Sequence, residues 1–334
     1  MFKERQIRSA KKGKLIDKVR LDDIRKFFLD GRGSINRRYF IRSACPACAK
    51  TGNPKAFLKD KFTFLRCQRC NTLYVSPRPR PDKLLQYYQH SQWNKLFTRD
   101  ILEKTAAVRK EVILKPRAKS VISYIKTLGI SRNLLAEIGG GNGAFLEVIK
   151  RERVGFKRYL NIEPSTEGAR LTKRRGFDVI NSFIEQIKEL GADCICAFEL
   201  IEHVFDPFVF CRKLNGLLNK NGILIMTTPN IEGLDLLLLG RDSANIIGPN
   251  HLNYFNQKSI ARLMQRTGFK IISLETPGVL DTDILKNRVT EGYRLKDGFI
   301  SSLLTKPEQV LENFQRFLQQ NRMSSNMLIV ARKR

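Results

Sequence analysis

Acidic residues are scarce in this chain of 334 residues: 32 Asp and Glu stand against 61 Lys and Arg, a formal net charge of +29. Long apolar runs are missing too, since Leu236 to Leu239 falls far short of the roughly 18 residues a membrane span needs. The opening Met1-Phe2-Lys3-Glu4-Arg5 lacks the apolar region of a secretory signal, so a cytoplasmic location is expected. What is present suffices for a core. A 42% hydrophobic share and this length suit one large α/β domain with a small accessory unit.

The shortage of acid is uneven. Residues 1–130 hold 32 Lys/Arg against 10 Asp/Glu, a balance of +22, whereas residues 131–334 hold 29 against 22, a balance of +7. Such a front end attracts polyanions: nucleic acid, phosphorylated substrates or an anionic membrane surface. A solvated basic face would carry the same charge, so charge alone names no substrate. Residues 1–42 alternate basic residues with Ile16, Val19, Leu21, Ile24, Phe27, Phe28 and Leu29, which predicts a basic arm and an amphipathic helix interrupted at Gly31-Arg32-Gly33-Ser34.

Residues 43–78 contain Cys45-Pro46-Ala47-Cys48 and, eighteen residues later, Cys67-Gln68-Arg69-Cys70. Paired C-x2-C knuckles at this separation predict a structural four-cysteine zinc ribbon, with Phe57-Leu58 and Phe62-Thr63-Phe64-Leu65 as hairpin strands. Disulfides are the alternative, disfavoured in a reducing compartment. Cys194, Cys196 and Cys211 fall at expected core positions as buried thiols. Residues 79–125 read as a helical connector, with Phe97 to Val121 a basic helical region broken at Pro116.

The stretch Leu134 to Ala144 organises the rest. An apolar run, a glycine cluster and the helical pattern Phe145-Leu146-Val148-Ile149 read as strand, turn and helix. Gly139, Gly141 and Ala144 satisfy G-x-G-x-x-G/A, and Gly143 adds a further position open to close approach by a nucleotide cofactor. Glu137 ends the strand, suited to the cationic amino-acid end of such a cofactor. Glu163, twenty positions after Gly143, ends a second strand and suits ribose hydroxyls.

Glu137-Ile138-Gly139-Gly140-Gly141-Asn142-Gly143 together with Glu163 resembles the class I S-adenosylmethionine-dependent methyltransferases. The resemblance implies an α/β, Rossmann-like, seven-stranded domain over residues 126–334 behind the small N-terminal zinc ribbon. Strands are expected at Tyr159 to Ile162, Asp178 to Ile180, Asp193 to Phe198 and Gly222 to Met226. Asp206-Pro207 should open a helix that Lys220-Asn221-Gly222 stops. Phe269 to Leu274 and Asn326 to Ala331 should close the sheet, with an unusually long insertion, Pro277 to Ser325, between them. Phe183 is the candidate for stacking on adenine, and Phe198 and Glu199 join the cofactor set. A ribbon followed by Tyr74-Val75-Ser76-Pro77-Arg78-Pro79 and a helix with Tyr87, Tyr88 and Trp93 resembles the N-terminal module of sugar C-methyltransferases.

Methyl transfer needs alignment and a deprotonated nucleophile. Glu199, Glu202 and His203 would share one face of a helix after the fourth strand. In Gly248-Pro249-Asn250-His251-Leu252-Asn253-Tyr254-Phe255 the positions of His251, Tyr254 and Phe255 match the base-carrying element of the sugar C-methyltransferases, which has Tyr and Glu where this chain has Gly248 and Asn250. His251 is the expected general base, with Glu202 and His203 as further catalytic candidates. The same Glu-x-x-Glu-His also resembles the metal site of small-RNA 2′-O-methyltransferases, so Glu199, Glu202, His203 and His251 are candidates for a second divalent ion. Ile231 to Asn250 reads as a lid. The expected function is methyl transfer from S-adenosylmethionine to a small anionic or hydroxylated metabolite such as a nucleotide-linked sugar. An RNA methyltransferase, with nucleic acid as partner, and a non-catalytic binding module are the alternatives.

Overall fold

The computed structural model describes residues 10–96 and 103–334. The outermost basic arm, residues 1–9, and the beginning of the expected connecting helix at Phe97 lie outside the described residues. The chain forms two compact units, and each is discontinuous in sequence.

One unit comprises residues 109–228, 257–275 and 327–334. It carries a seven-stranded mixed sheet, in spatial order Phe269–Glu275, Asn326–Lys333, Leu218–Pro229, Ala192–Phe198, Leu134–Ile138, Arg158–Ile162 and Asp178–Ile180. The five strands from Leu218–Pro229 onward in that order pair in parallel, and Phe269–Glu275 runs antiparallel to Asn326–Lys333. All five residues of Leu134–Ile138 are buried, as a central parallel strand covered on both faces requires. Ala118, Val121 and Ile125 of the Lys115–Thr127 helix pack with Phe145, Leu146, Val148 and Ile149 of the Ala144–Arg151 helix into the core, where Cys194 and Cys196 are buried as expected.

Three local expectations are corrected here. Pro116 does not break the helical region; it occupies the first turn of Lys115–Thr127, where its missing N–H is not needed, and a π-helical turn at Lys110–Leu114 precedes it. The Pro207–Leu217 helix ends before Lys220-Asn221-Gly222. The next strand already begins at Leu218, with Asn221 at φ 67° and a register shift between Leu218 and Ile223. No helix begins at Glu199. That residue takes φ 49°, which an α-helix forbids, His203 N–H closes a turn on Leu200 O, and Asp206 caps the helix that follows by accepting from Phe208 and Val209 N–H.

The other unit comprises residues 1–108, 229–256 and 276–326. A basic helix, Ala10–Phe28, is followed by the Asp30-to-Ser34 turn. Lys55–Lys59, Phe62–Arg66 and Leu73–Val75 form an antiparallel sheet whose fourth strand, Asn253–Tyr254, comes from far along the chain. Phe28 packs among Phe40, Phe62 and Tyr87 with ring centroids 5.3–5.9 Å apart, and each such pair contributes about 1 kcal/mol beyond burial. The long insertion folds as helices Asp281–Thr290, Gly298–Leu303 and Glu308–Gln320, and its core joins Leu285, Ile300 and Leu318 to Leu234 and Leu239. Asp281 pins it: the buried carboxylate accepts from Gln315 Nε2 and Ser324 Oγ, both at 2.6 Å, from Ser325 N–H at 2.7 Å and from the Ser325 hydroxyl. Among the described residues no helix is long and apolar enough to cross a membrane.

Candidate active site and candidate metal centre

In the sheet-bearing unit the chain leaves Leu134–Ile138 through a turn that only glycine makes easily: Gly139, Gly141 and Gly143 take φ of 67°, 56° and 74°. Gly139 N–H donates to Ile162 O, and Gly143 is the N-cap of Ala144–Arg151. Gly140 has no room for a side chain. A Cβ there would stand 2.5 Å from Glu137 Oε2 and 2.6 Å from Asn161 Oδ1.

Glu137 is 4% exposed and its Oε2 has no hydrogen-bond partner; burial pushes its carboxyl up to about 8 against an ordinary value of 4.5. A buried carboxylate oxygen left unsatisfied beside a bare backbone fits a cationic ligand group. Glu163 accepts from Gly141 N–H and Ser165 N–H, both at 2.8 Å, and burial raises its carboxyl as well. Glu137, Gly139, Gly141, Gly143 and Glu163 are thus brought together around one turn. Phe183 is on the loop after Asp178–Ile180, 38% exposed.

Two residues of this turn's surroundings escaped the sequence reading. Asn161 is fully buried; its Oδ1 accepts from Gly140 N–H at 3.1 Å, while its Nδ2 donates to Gly141 O and Thr172 Oγ1. The strand position two before Glu163, where a polar residue interrupts an apolar run, was the available signal. Arg117 reaches Glu199 Oε1 at 3.3 Å and lies over the Phe198 ring at 4.4 Å, which also meets Phe145 edge-on. Burial lowers the guanidinium's pKa, and the carboxylates of Glu199 and Glu137 oppose that. Nothing in the local sequence marks it.

After the fourth parallel strand, Glu199 also accepts from Thr227 Oγ1 at 2.5 Å, and Glu202 accepts from Thr228 Oγ1 at 2.9 Å. Glu202 is buried, and desolvation with the Glu199 charge beside it holds its carboxyl well above the usual range. The Glu199 carboxylate is therefore engaged with Thr227 and Arg117.

His251 belongs to the other unit, where Asn253–Tyr254 pairs with Leu73–Val75. Its Nδ1–H donates to Asn245 O at 2.9 Å, a carbonyl that can only accept, so in the neutral ring Nε2 carries the lone pair. Tyr87 and Tyr88 both donate to Asn250: Tyr87 to Oδ1 at 2.8 Å and Tyr88 to the carbonyl at 3.1 Å.

In the same unit Cys45, Cys48, Cys67 and Cys70 are buried and none is in a disulfide. The Sγ pairs Cys45–Cys70, Cys48–Cys67 and Cys48–Cys70 are each 3.5 Å apart, and all four sulfurs lie within 4.8 Å of one another. A disulfide needs about 2.05 Å, whereas a tetrahedron of Zn–S bonds of about 2.3 Å separates its sulfurs by roughly 3.8 Å. The donor set fits zinc. Thr72 Oγ1, 3.0 Å from Cys70 Sγ, adds an outer contact.

Residues 112–274 match the family model described as a methyltransferase domain. The mitochondrial ubiquinone biosynthesis O-methyltransferase of Arabidopsis thaliana is 24% identical over 184 residues, 48% of this chain and 56% of that protein. C-methyltransferase NovU of Streptomyces niveus is 20% identical over 221 residues, 64% of this chain and 47% of the relative. The chain spans about half the length of these curated relatives. A solved S-adenosylmethionine-dependent methyltransferase from Archaeoglobus fulgidus is 17% identical, with a TM-score of 0.46 over 68% of this chain and 99% of its own. The match over residues 112–274, together with the glycine turn and the order of the seven-stranded sheet, shows a methyltransferase domain in that stretch of the chain.

Proposed function

We propose that the protein transfers a methyl group from S-adenosylmethionine to a small hydroxylated or anionic metabolite, such as a nucleotide-linked sugar, with His251 as general base. The observation that carries the reading is the unsatisfied Glu137 carboxylate beside a Gly140 that tolerates no Cβ. When bound, S-adenosylmethionine supplies an activated methyl on a sulfonium. Glu137 would take the amino group of its methionine end, Arg117 the carboxylate and Glu163 the ribose hydroxyls. Phe183 would stack on adenine, and Phe198 would border the site with Glu199 held by Thr227. His251, with its Nδ1–H committed to Asn245, would accept the acceptor hydroxyl's proton at Nε2. Glu202 and His203 would line the acceptor side. Cys45, Cys48, Cys67 and Cys70 would hold a structural zinc ion that stabilises folding. O- and C-methyltransferases of small molecules among the relatives support this substrate class.

Calorimetry on the zinc-loaded protein tests the cofactor reading. S-adenosylmethionine should bind, and Glu163→Ala should weaken it by about tenfold, the loss of one charged hydrogen-bonding group. An unaltered affinity in that variant overturns the ribose assignment. His251→Ala should abolish transfer of tritiated methyl to a panel of nucleotide-linked sugars and leave cofactor affinity unchanged.

A further inference from the structure

The helix Leu234–Leu239 reads Leu-Asp-Leu-Leu-Leu-Leu, and its one polar side chain, Asp235, is fully buried. A carboxylate there serves no packing need that leucine would not meet better. Its Oδ1 has no hydrogen-bond partner, the nearby Ser325 hydroxyl being donated to Asp281. Burial pushes the carboxyl up to about 6. A group held at such a cost is explained by what its other oxygen grips. Asp235 Oδ2 accepts from Asn245 Nδ2 at 3.2 Å and from Ser243 Oγ at 3.5 Å, and Ser243 Oγ in turn accepts from Asn245 N–H at 3.1 Å. Asn245 O is the acceptor of the His251 Nδ1–H.

We propose that Asp235 is a positioning residue for His251: by clamping Asn245 through its side chain, it aims the Asn245 carbonyl at the imidazole and fixes the tautomer that leaves Nε2 as the acceptor. The proposal deepens the reading of His251 as base and rests on it. Residues 243–247 form an irregular loop. Ile246 N–H turns back on Ser243 O, Ile247 N–H donates to Tyr254 Oη, and Lys59 Nζ donates to Ser243 O. These bonds hold the loop's two ends. Those from Asp235 to Ser243 and Asn245 set the direction of the carbonyl between them.

The test is the ring itself, observed by nitrogen-15 NMR of labelled histidine in the full-length, zinc-loaded protein, with His251→Asn to assign the signal among three histidines. The native ring should report a single Nδ1-protonated tautomer. Asp235→Asn, which keeps an acceptor for the Asn245 amide, should preserve it. Asp235→Ala should shift the Nδ1 and Nε2 signals toward a tautomer average, and so should Asn245→Ala, which retains the carbonyl but loses the clamp. If both alanine variants keep native thermal unfolding and an unshifted ring, the proposal is overturned. Because this readout needs no substrate, it is separable from the reading of His251 as base, which the activity of His251→Ala decides alone.

Discussion

The glycine turn of one unit and the His251 loop of the other are held in place by opposite means. Around Gly139, Gly141 and Gly143 the work is done by left-handed backbone that glycine adopts most easily, and by Asn161 and Glu163 one strand away. The His251 loop has no such local logic. It is tethered by a strand pairing to Leu73–Tyr74, by Tyr87 and Tyr88 on Asn250, by Asp235 on Asn245 and by Asn256 Nδ2 on Cys70 O. A turn of the first kind is written in a short string of residues; a loop of the second kind depends on the rest of its unit being folded.

The largest expected effect separates the two. The zinc ion proposed at Cys45, Cys48, Cys67 and Cys70 would supply an interaction worth on the order of 10 kcal/mol in small zinc domains, and a chelator should remove it. Asn256 and the Asn253–Tyr254 strand both lean on that ribbon. Scanning calorimetry should show the unit's transition fall sharply and methyl transfer vanish, while titration calorimetry finds S-adenosylmethionine affinity within about threefold of native. Equal loss of cofactor binding would break the contrast between the units.

Asp281→Ala comes next, also in the tethered unit. It leaves Ser324, Ser325 and Gln315 without their shared acceptor in a buried setting, at a cost of about 3 kcal/mol. Urea unfolding measures it, and a change below about 1 kcal/mol would show that the insertion is not pinned there. Gly140→Ala is the matching insult to the glycine turn. Its Cβ would meet Glu137 Oε2 and Asn161 Oδ1 inside contact distance, for about 2 kcal/mol of strain, and S-adenosylmethionine affinity should fall at least about tenfold. Native affinity in that variant would mean the turn yields more readily than its packing implies.

The contrast also explains what was legible in advance. That Gly139, Gly141, Gly143, Glu137 and Glu163 converge on one turn was readable from their spacing along two adjacent strands, and the clustering of the four cysteines from their paired knuckles. The single strands followed from apolar runs, and their assembly into a seven-stranded sheet from the resemblance to the class I methyltransferases. The helix expected at Glu199 was not formed, because apolar and polar spacing cannot register a left-handed backbone at Glu199 or a Thr227 side chain that claims its carboxylate. Asn161, Arg117 and Asp235 stayed hidden for a related reason. Each acts through a partner at least 10 positions away, and Arg117 reaches Glu199 across 82. That 229–256 and 276–326 join the N-terminal residues in one unit was equally beyond local pattern.

The smallest expected effect probes the unsatisfied carboxylate of the glycine turn. In the folded protein Glu137 titrates near 8, above its ordinary 4.5, so folding takes up a proton between those values. Stability from this group is full below about 4.5 and is lost as pH rises through 8. Each pH unit inside that window costs about 1.4 kcal/mol, and Glu137→Gln, which cannot ionise, escapes it. Between pH 6 and 7 the glutamine variant should therefore gain about that much over the native chain in urea unfolding. Saturating S-adenosylhomocysteine, whose ammonium would stabilise the ionised carboxylate, should remove the native chain's slope and do nothing to the variant's. If both slopes are the same without ligand, Glu137 is not the uncompensated charge on which the cofactor reading depends.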